Sequence, residues 1–74
     1  MNKNDMIGAV ADASGLTRSD ATKAVEGVFD AISGALKKGD EVRLVGFGTF
    51  SVAKRKASSQ PKFKAGKGLK DAVN

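Results

Sequence analysis

The apolar positions of this chain follow a helical period first and a strand period afterwards, with the change near residue 40. Met6, Ile7, Val10 and Ala11 share one side of a helix, and Asn2 with Asp5 forms an N-cap followed by an acidic third position, which predicts a helix over about residues 3–14. Gly15 is suited to close it, and Thr17 with Asp20 repeats the capping pattern almost at once. The connection is therefore short, and the two helices should fold back on each other. From Ala21 the apolar residues stand at 21, 24, 25, 28, 29, 32, 35 and 36, an unbroken 3.6-residue rhythm. Lys37 and Lys38 complement the negative end of the helix dipole, and Gly39 ends the run.

Beyond Gly39 the rhythm shortens to two. Glu41 to Val45 alternates as a half-buried strand, Gly46-Phe47-Gly48 reads as a tight connection, and Thr49 to Lys56 alternates again with Phe50 and Val52 on one face. Ala57 to Gln60 is polar and turn-like. Pro61 to Lys64 is then expected as a short third strand with proline at its first position, Phe63 facing in and Lys62 and Lys64 facing out. Gly66 to Val73 is expected as a two-turn helix with Leu69 and Val73 inward, weakened by Gly68 and by the lack of a capping oxygen at Ala65. The fold class is α+β: a two-helix N-terminal body, a three-stranded antiparallel sheet and a short C-terminal helix, in one domain divisible into residues 1–39 and 40–74.

Size changes the picture next. Seventy-four residues support a core worth about 3–5 kcal/mol net. Cysteine and histidine are both absent, which excludes disulfides, thiolate metal sites and the commonest general base. The remaining source of stability is oligomerisation. No apolar run approaches the roughly 18 residues of a membrane span, and Met1 to Val10 lacks the pattern of a secretory signal, so a cytoplasmic location is expected.

The net charge is +5, and its distribution matters more than its sum. Residues 1–53 carry six basic groups, Lys3, Arg18, Lys23, Lys37, Lys38 and Arg43, against seven acids. Residues 54–74 carry seven, Lys54, Arg55, Lys56, Lys62, Lys64, Lys67 and Lys70, against Asp71 alone. The first part builds a near-neutral body and the second an anion-binding surface. A solvated lysine-rich face is the bland alternative, but segregation of the whole excess into the last 21 residues weighs against it. Lys67 and Lys70 are three apart and share a helix face, and the helix N-terminus near Gly66 would add N–H donors for a phosphate.

Catalysis has little support. Gly46-x-Gly48 is too short for a dinucleotide fingerprint, and Ala65-Gly66-Lys67-Gly68 lacks both the first glycine and the Ser/Thr of a P-loop. Asp12, Asp30 and Asp40 have no histidine or cysteine partner, so the chain reads as non-enzymatic, without cofactor, metal or small-molecule substrate. Its four phenylalanines, with no Tyr or Trp, differ from the displayed aromatics on which single-stranded nucleic acids stack. Phe29 falls on the helical stripe, and Phe50 and Phe63 have inward parity. Phe47, at the strand connection, belongs to a dimer interface rather than to a DNA-intercalating wedge.

The start Met1-Asn2-Lys3, the run Leu44-Val45-Gly46-Phe47-Gly48-Thr49-Phe50 and the end Gly66-Lys67-Gly68-Leu69-Lys70-Asp71-Ala72-Val73 together resemble the HU/IHF family of bacterial histone-like DNA-binding proteins, and HU more than IHF. The likeness covers essentially the whole chain. It implies an intertwined homodimer, with helices beneath a saddle of strands whose ribbon arms wrap the minor groove; HU and IHF are themselves standard cases of architectural binding. By position, the resemblance implies that Lys3, Arg55, Lys64, Lys67 and Lys70 meet phosphates, with Lys54, Lys56 and Lys62 beside them, and that Phe29, Phe47, Phe50 and Phe63 form the dimer core. In one respect the chain departs from the family: some sixteen residues of the arm, with its proline tip, have no counterpart between Ser58 and Ser59, and Ala53 and Ser58 stand where relatives often carry arginine. Either Ala57 to Gln60 closes a compact hairpin, or these 74 residues omit the ribbon of a longer parent chain.

The expected function is therefore binding of duplex DNA with little sequence preference, by a homodimer that bends or compacts bacterial chromosomal DNA in the nucleoid. Bending is expected to suffer where the arm is absent. A protein-interaction or RNA-binding module using the basic C-terminal surface is the alternative.

Overall fold

In the computed structural model the elements follow in the order α1 (Lys3–Ser14), α2 (Arg18–Lys37), β1 (Val42–Leu44), β2 (Gly48–Arg55), β3 (Ser58–Ala65) and α3 (Lys67–Val73). Residues 1–55 and 58–74 are described, Arg55 by its backbone alone. The chain forms two compact units, Met1–Ala31 and Ile32–Asn74, with α2 running through the boundary.

In the first unit the expected capping box is complete: Asn2 Oδ1 accepts from the Asp5 N–H at 2.9 Å, and Asp5 Oδ2 from the Asn2 N–H at 3.2 Å. Two of the orphan donors of α1 are thereby satisfied, an effect worth about 1 kcal/mol. Gly15 closes the helix with φ 77° and donates its N–H to Ala11 O. Thr17 Oγ1 accepts from the Asp20 N–H at 3.1 Å and opens α2. Ile7, Ala21 and Val25 are the buried core, with Val10 and Ala11 packed against it. Arg18 Nη2 donates to Asn4 O at 3.1 Å and binds the start of α2 to α1.

Three small buried side chains make a thin core. The middle of the α2 stripe remains uncovered in the single chain: Val28 is 54% and Phe29 41% exposed. Together with Met6, Val10, Ala24 and Val25 they line a wholly apolar groove of about 200 Å³.

In the second unit the strands lie in the order β1-β2-β3, all antiparallel. Two expectations need correcting. Ser58 to Gln60 belong to β3 rather than to a turn, paired with Arg55, Lys54 and Ala53. Pro61 is accordingly the fourth residue of β3, opposite Val52. Turn-type side chains do not prevent pairing when the partner strand continues alongside, and an edge strand tolerates proline because it has an unpaired side. The remaining part of the expected turn, Ala57, and the expected end of β2, Lys56, lie outside the described residues. At the C-terminus Leu69 is half-buried as expected, whereas Val73 is 75% exposed, so a single turn of α3 is anchored.

Candidate nucleic-acid interface

Strand alternation and register divide the sheet into two chemically distinct faces. On one, Phe50 stands opposite Phe63, Val52 opposite Pro61, Lys54 opposite Ser59, and Leu44 opposite Gly48. The Phe50 and Phe63 rings are 4.7 Å apart between centroids, and Phe47 tilts against Phe63 at 5.7 Å. These distances suit inclined aromatic packing, which adds about 0.5–1.5 kcal/mol per pair beyond area burial. Phe47 and Phe63 nevertheless remain 47% and 43% exposed, so the aromatic cluster is built but uncovered.

The other face carries the pairs Thr49↔Lys64, Ser51↔Lys62, Ala53↔Gln60 and Arg55↔Ser58, with Arg43 in register with Thr49 on β1. It is polar throughout except for Ala53, and it holds Lys62 and Lys64, both exposed. Small Thr and Ser side chains at the middle of the row leave the cations room to reach outward.

The turn beneath both faces has a specific chemistry. Phe47 N–H donates to Leu44 O at 2.9 Å, and Gly46, third residue of the turn, sits at φ 80°, where a side chain would be strained. The turn carbonyls then hold α3: Gly66 N–H donates to Phe47 O at 2.7 Å and Leu69 N–H to Gly46 O at 3.0 Å. Two of the donors at the expected phosphate-binding terminus near Gly66, those of Gly66 and Leu69, are thereby spent within the chain. Gly48 is packed so tightly that a Cβ there would fall 2.6 Å from Phe63 Cε1 and 2.7 Å from Lys64 O.

Of the basic residues singled out from sequence, Lys62 and Lys64 share one face of the sheet, and Arg55 shares their register parity. Lys67 and Lys70 are exposed on α3. Lys54 is not brought to that face: it has the parity of Phe50 and lines a groove with Leu36, Lys37 and Lys38. Lys3 lies in the first unit, 3.9 Å from Glu26 in an exposed ion pair. Lys56 lies outside the described residues. Arg43 was counted from sequence with the near-neutral body; the β1-β2 register is what brings it onto the face of Lys62 and Lys64.

Among the described residues no group of three or more His, Cys, Asp or Glu is placed to hold a metal, and no helix is long and apolar enough to cross a membrane.

The sequence model of the family described as bacterial DNA-binding protein matches residues 1–60. DNA-binding protein HRm of Rhizobium meliloti (strain 1021) is 51% identical over 90 aligned positions that cover all of both chains. Against 74 residues here, those 90 positions leave a difference of sixteen, which must fall inside the chain. DNA-binding protein HU of Geobacillus stearothermophilus is also 51% identical, over 89 positions and 99% of each chain. Among solved structures, the HU mutant V42I from Thermotoga maritima superposes with a TM-score of 0.91 at 40% identity over the whole of both chains. The HU chain of an Anabaena HU-DNA cocrystal gives 0.89 at 29% identity, over 99% of this chain and 97% of that one. With a thin helical core, an uncovered aromatic cluster on one sheet face and a basic row on the other, this chain belongs to the bacterial DNA-binding protein family, among the HU proteins.

Proposed function

We propose that the chain acts as a homodimer that grips duplex DNA through the polar face of its sheet, with little sequence preference, and thereby helps to compact the bacterial chromosome in the nucleoid. The observation that carries this reading is the register, which sets Lys62 and Lys64 on the face opposite Phe50 and Phe63. One strand alternation thus serves two surfaces, one for a second copy and one for phosphates.

Dimerisation is supported by what the single chain leaves open. Val28, Phe29, Phe47 and Phe63 are each about half exposed, too much apolar surface for a chain whose buried hydrophobic core, among the described residues, is Ile7, Ala21 and Val25. Covering it is worth on the order of 1 kcal/mol for each side chain and for each copy. In this reading residues 1–39 are the dimerisation body, residues 40–74 the DNA-binding part, and Phe29, Phe47, Phe50 and Phe63 the dimer core.

Lack of sequence preference is supported by the side chains on the polar face. Lysine acts on phosphate as a point charge, and the paired residues of this face include no Asn or Asp and one amide side chain, Gln60. Arg55, Lys67, Lys70 and Lys3 are assigned further phosphate contacts in this reading, on the family resemblance alone. Strong bending is not expected of these 74 residues: β2 and β3 are paired up to Arg55 and Ser58, and Pro61 lies within the strand, where it cannot act as a wedge.

The test is a titration of short duplex DNA over a salt series with donor and acceptor dyes at the duplex ends, alongside the intact mass. Binding that weakens steeply with salt and leaves the ends far apart agrees with the proposal. A preference for single-stranded RNA over duplex at equal salt would favour an RNA-binding module instead, and strong energy transfer at a confirmed mass of 7.6 kDa would contradict the unbent complex.

A further inference from the structure

We infer that Arg43 is a DNA-contacting residue of the polar face, and that Glu41 restrains it as an internal counter-ion. The inference rests on the proposed DNA-binding reading and assigns it a residue outside the basic C-terminal third. The pairs Arg43↔Thr49 and Thr49↔Lys64 set three residues in one cross-strand row, a cation at each end and a small hydroxyl between. Arg43, Thr49 and Lys64 all line one open depression of about 380 Å³ at the turn end of the sheet, which also takes in Leu44, Val45 and Gly48. Two strand spacings separate their backbones by about 10 Å. That span, with two flexible stems, is enough to put one cation on either side of a minor groove about 6 Å wide.

The simpler role for Arg43 is its ion pair with Glu41, Nη2 to Oε2 at 3.5 Å. Both side chains are largely exposed, 74% and 56%, and an exposed pair of this length contributes little to stability. It does hold the guanidinium at the rim of the depression. A phosphate oxygen accepts a shorter, charge-assisted bond from guanidinium than this carboxylate makes here, so DNA displaces Glu41 as the partner. Glu41 then becomes a nearby negative charge that opposes the bound phosphate. It lowers affinity, and it keeps Arg43 paired when DNA is absent.

The experiment is a salt-series titration of one duplex of about 20 base pairs, long enough to span the several phosphates such a protein neutralises, against the unmodified chain and the variants Arg43→Gln, Arg43→Lys, Glu41→Gln and Lys64→Ala, with melting temperatures compared at equal protein concentration. Arg43→Gln is expected to weaken binding about five- to tenfold at low salt, with the slope of log K on log salt shallower by about 0.9 for each arginine that meets a phosphate. Arg43→Lys should keep most of the slope. Glu41→Gln is expected to bind at least twofold more tightly, a readout that does not depend on how the Arg43 variants fold. Binding and slope unchanged in Arg43→Gln while Lys64→Ala is weakened would overturn the role of Arg43 and leave the DNA-binding reading standing. Unchanged or weaker binding by Glu41→Gln would overturn the restraint. Failure of the unmodified chain to bind duplex at low salt would instead remove the underlying reading.

Discussion

The two faces of one three-stranded sheet differ in almost every respect although the same strands alternate to make them. One face gathers Phe50, Phe63, Val52, Pro61 and Leu44, with the Phe47 ring against it; the other gathers Thr49, Ser51, Lys62 and Lys64 with Arg43. A period of two separates them, so a substitution at an even position of β2 should report on assembly and one at an odd position on DNA, rarely on both. On the proposed reading the exposed phenylalanines and the exposed lysines, neighbours in sequence, meet different partners.

The largest effect is expected on the apolar face. Replacing Phe47 or Phe63 by Ala should destabilise the dimer by about 3–5 kcal/mol per site, the range for large-to-small changes in a core, and should make melting more dependent on protein concentration. Sedimentation and melting over a concentration series would show it. A variant that is folded, monomeric and as stable as the parent would break the assignment of this face to a second copy.

Next comes Gly48, which has the register parity of Phe50 but is packed against the Lys64 backbone as well as the Phe63 ring. Any Cβ there meets both the Phe63 ring and the Lys64 carbonyl, so Gly48→Ala should cost about 1–3 kcal/mol through overpacking. It should also move β3 and so weaken DNA binding, the one site where both readouts shift together. Chemical denaturation at fixed protein concentration measures the first and duplex titration the second; unaltered stability would mean that β3 gives way without consequence.

On the polar face, Lys62→Ala or Lys64→Ala should leave melting within about 0.5 kcal/mol of the parent, as expected for exposed positions. Each should flatten the salt dependence of duplex binding by about 0.9 for every phosphate that the lysine had neutralised. Smallest of all is the effect expected for Lys54→Ala, whose register parity puts it with Phe50 and not with Lys62. A loss at Lys54 equal to that at Lys64 in the same titration would erase the distinction between the faces.

Much of this was legible in the chain itself, because the helix ends and strand faces are set by local chemistry. The Asn2 and Asp5 capping box, Gly15, the stripe from Ala21 and the opposition of Phe50 and Phe63 to Lys62 and Lys64 all depend on residues close in sequence or on a two-residue period. The length of β3 was not legible, since Ser58, Ser59 and Gln60 favour turns by themselves and are extended only because Ala53, Lys54 and Arg55 pair with them. Arg43 escaped for a related reason. Its membership of the basic row is decided by the β1-β2 register, which no composition or local charge count contains. Two donors at the start of α3, those of Gly66 and Leu69, likewise read as free until the Phe47 and Gly46 carbonyls are seen to take them.

The most direct test of the central claim removes the same charge from two places. The double variant Lys62→Ala/Lys64→Ala and the double variant Lys37→Ala/Lys38→Ala have equal net charge, but only the first strips the polar face of the sheet. Duplex affinity is measured for both over one salt series, after sedimentation confirms that each remains a dimer. The account predicts weaker binding with a markedly shallower salt dependence for the first pair, by about 0.9 for every phosphate left without its lysine, and a response close to the parent for the second. Equal losses in the two variants would contradict it and show that net charge, not the face opposite the phenylalanines, holds the DNA.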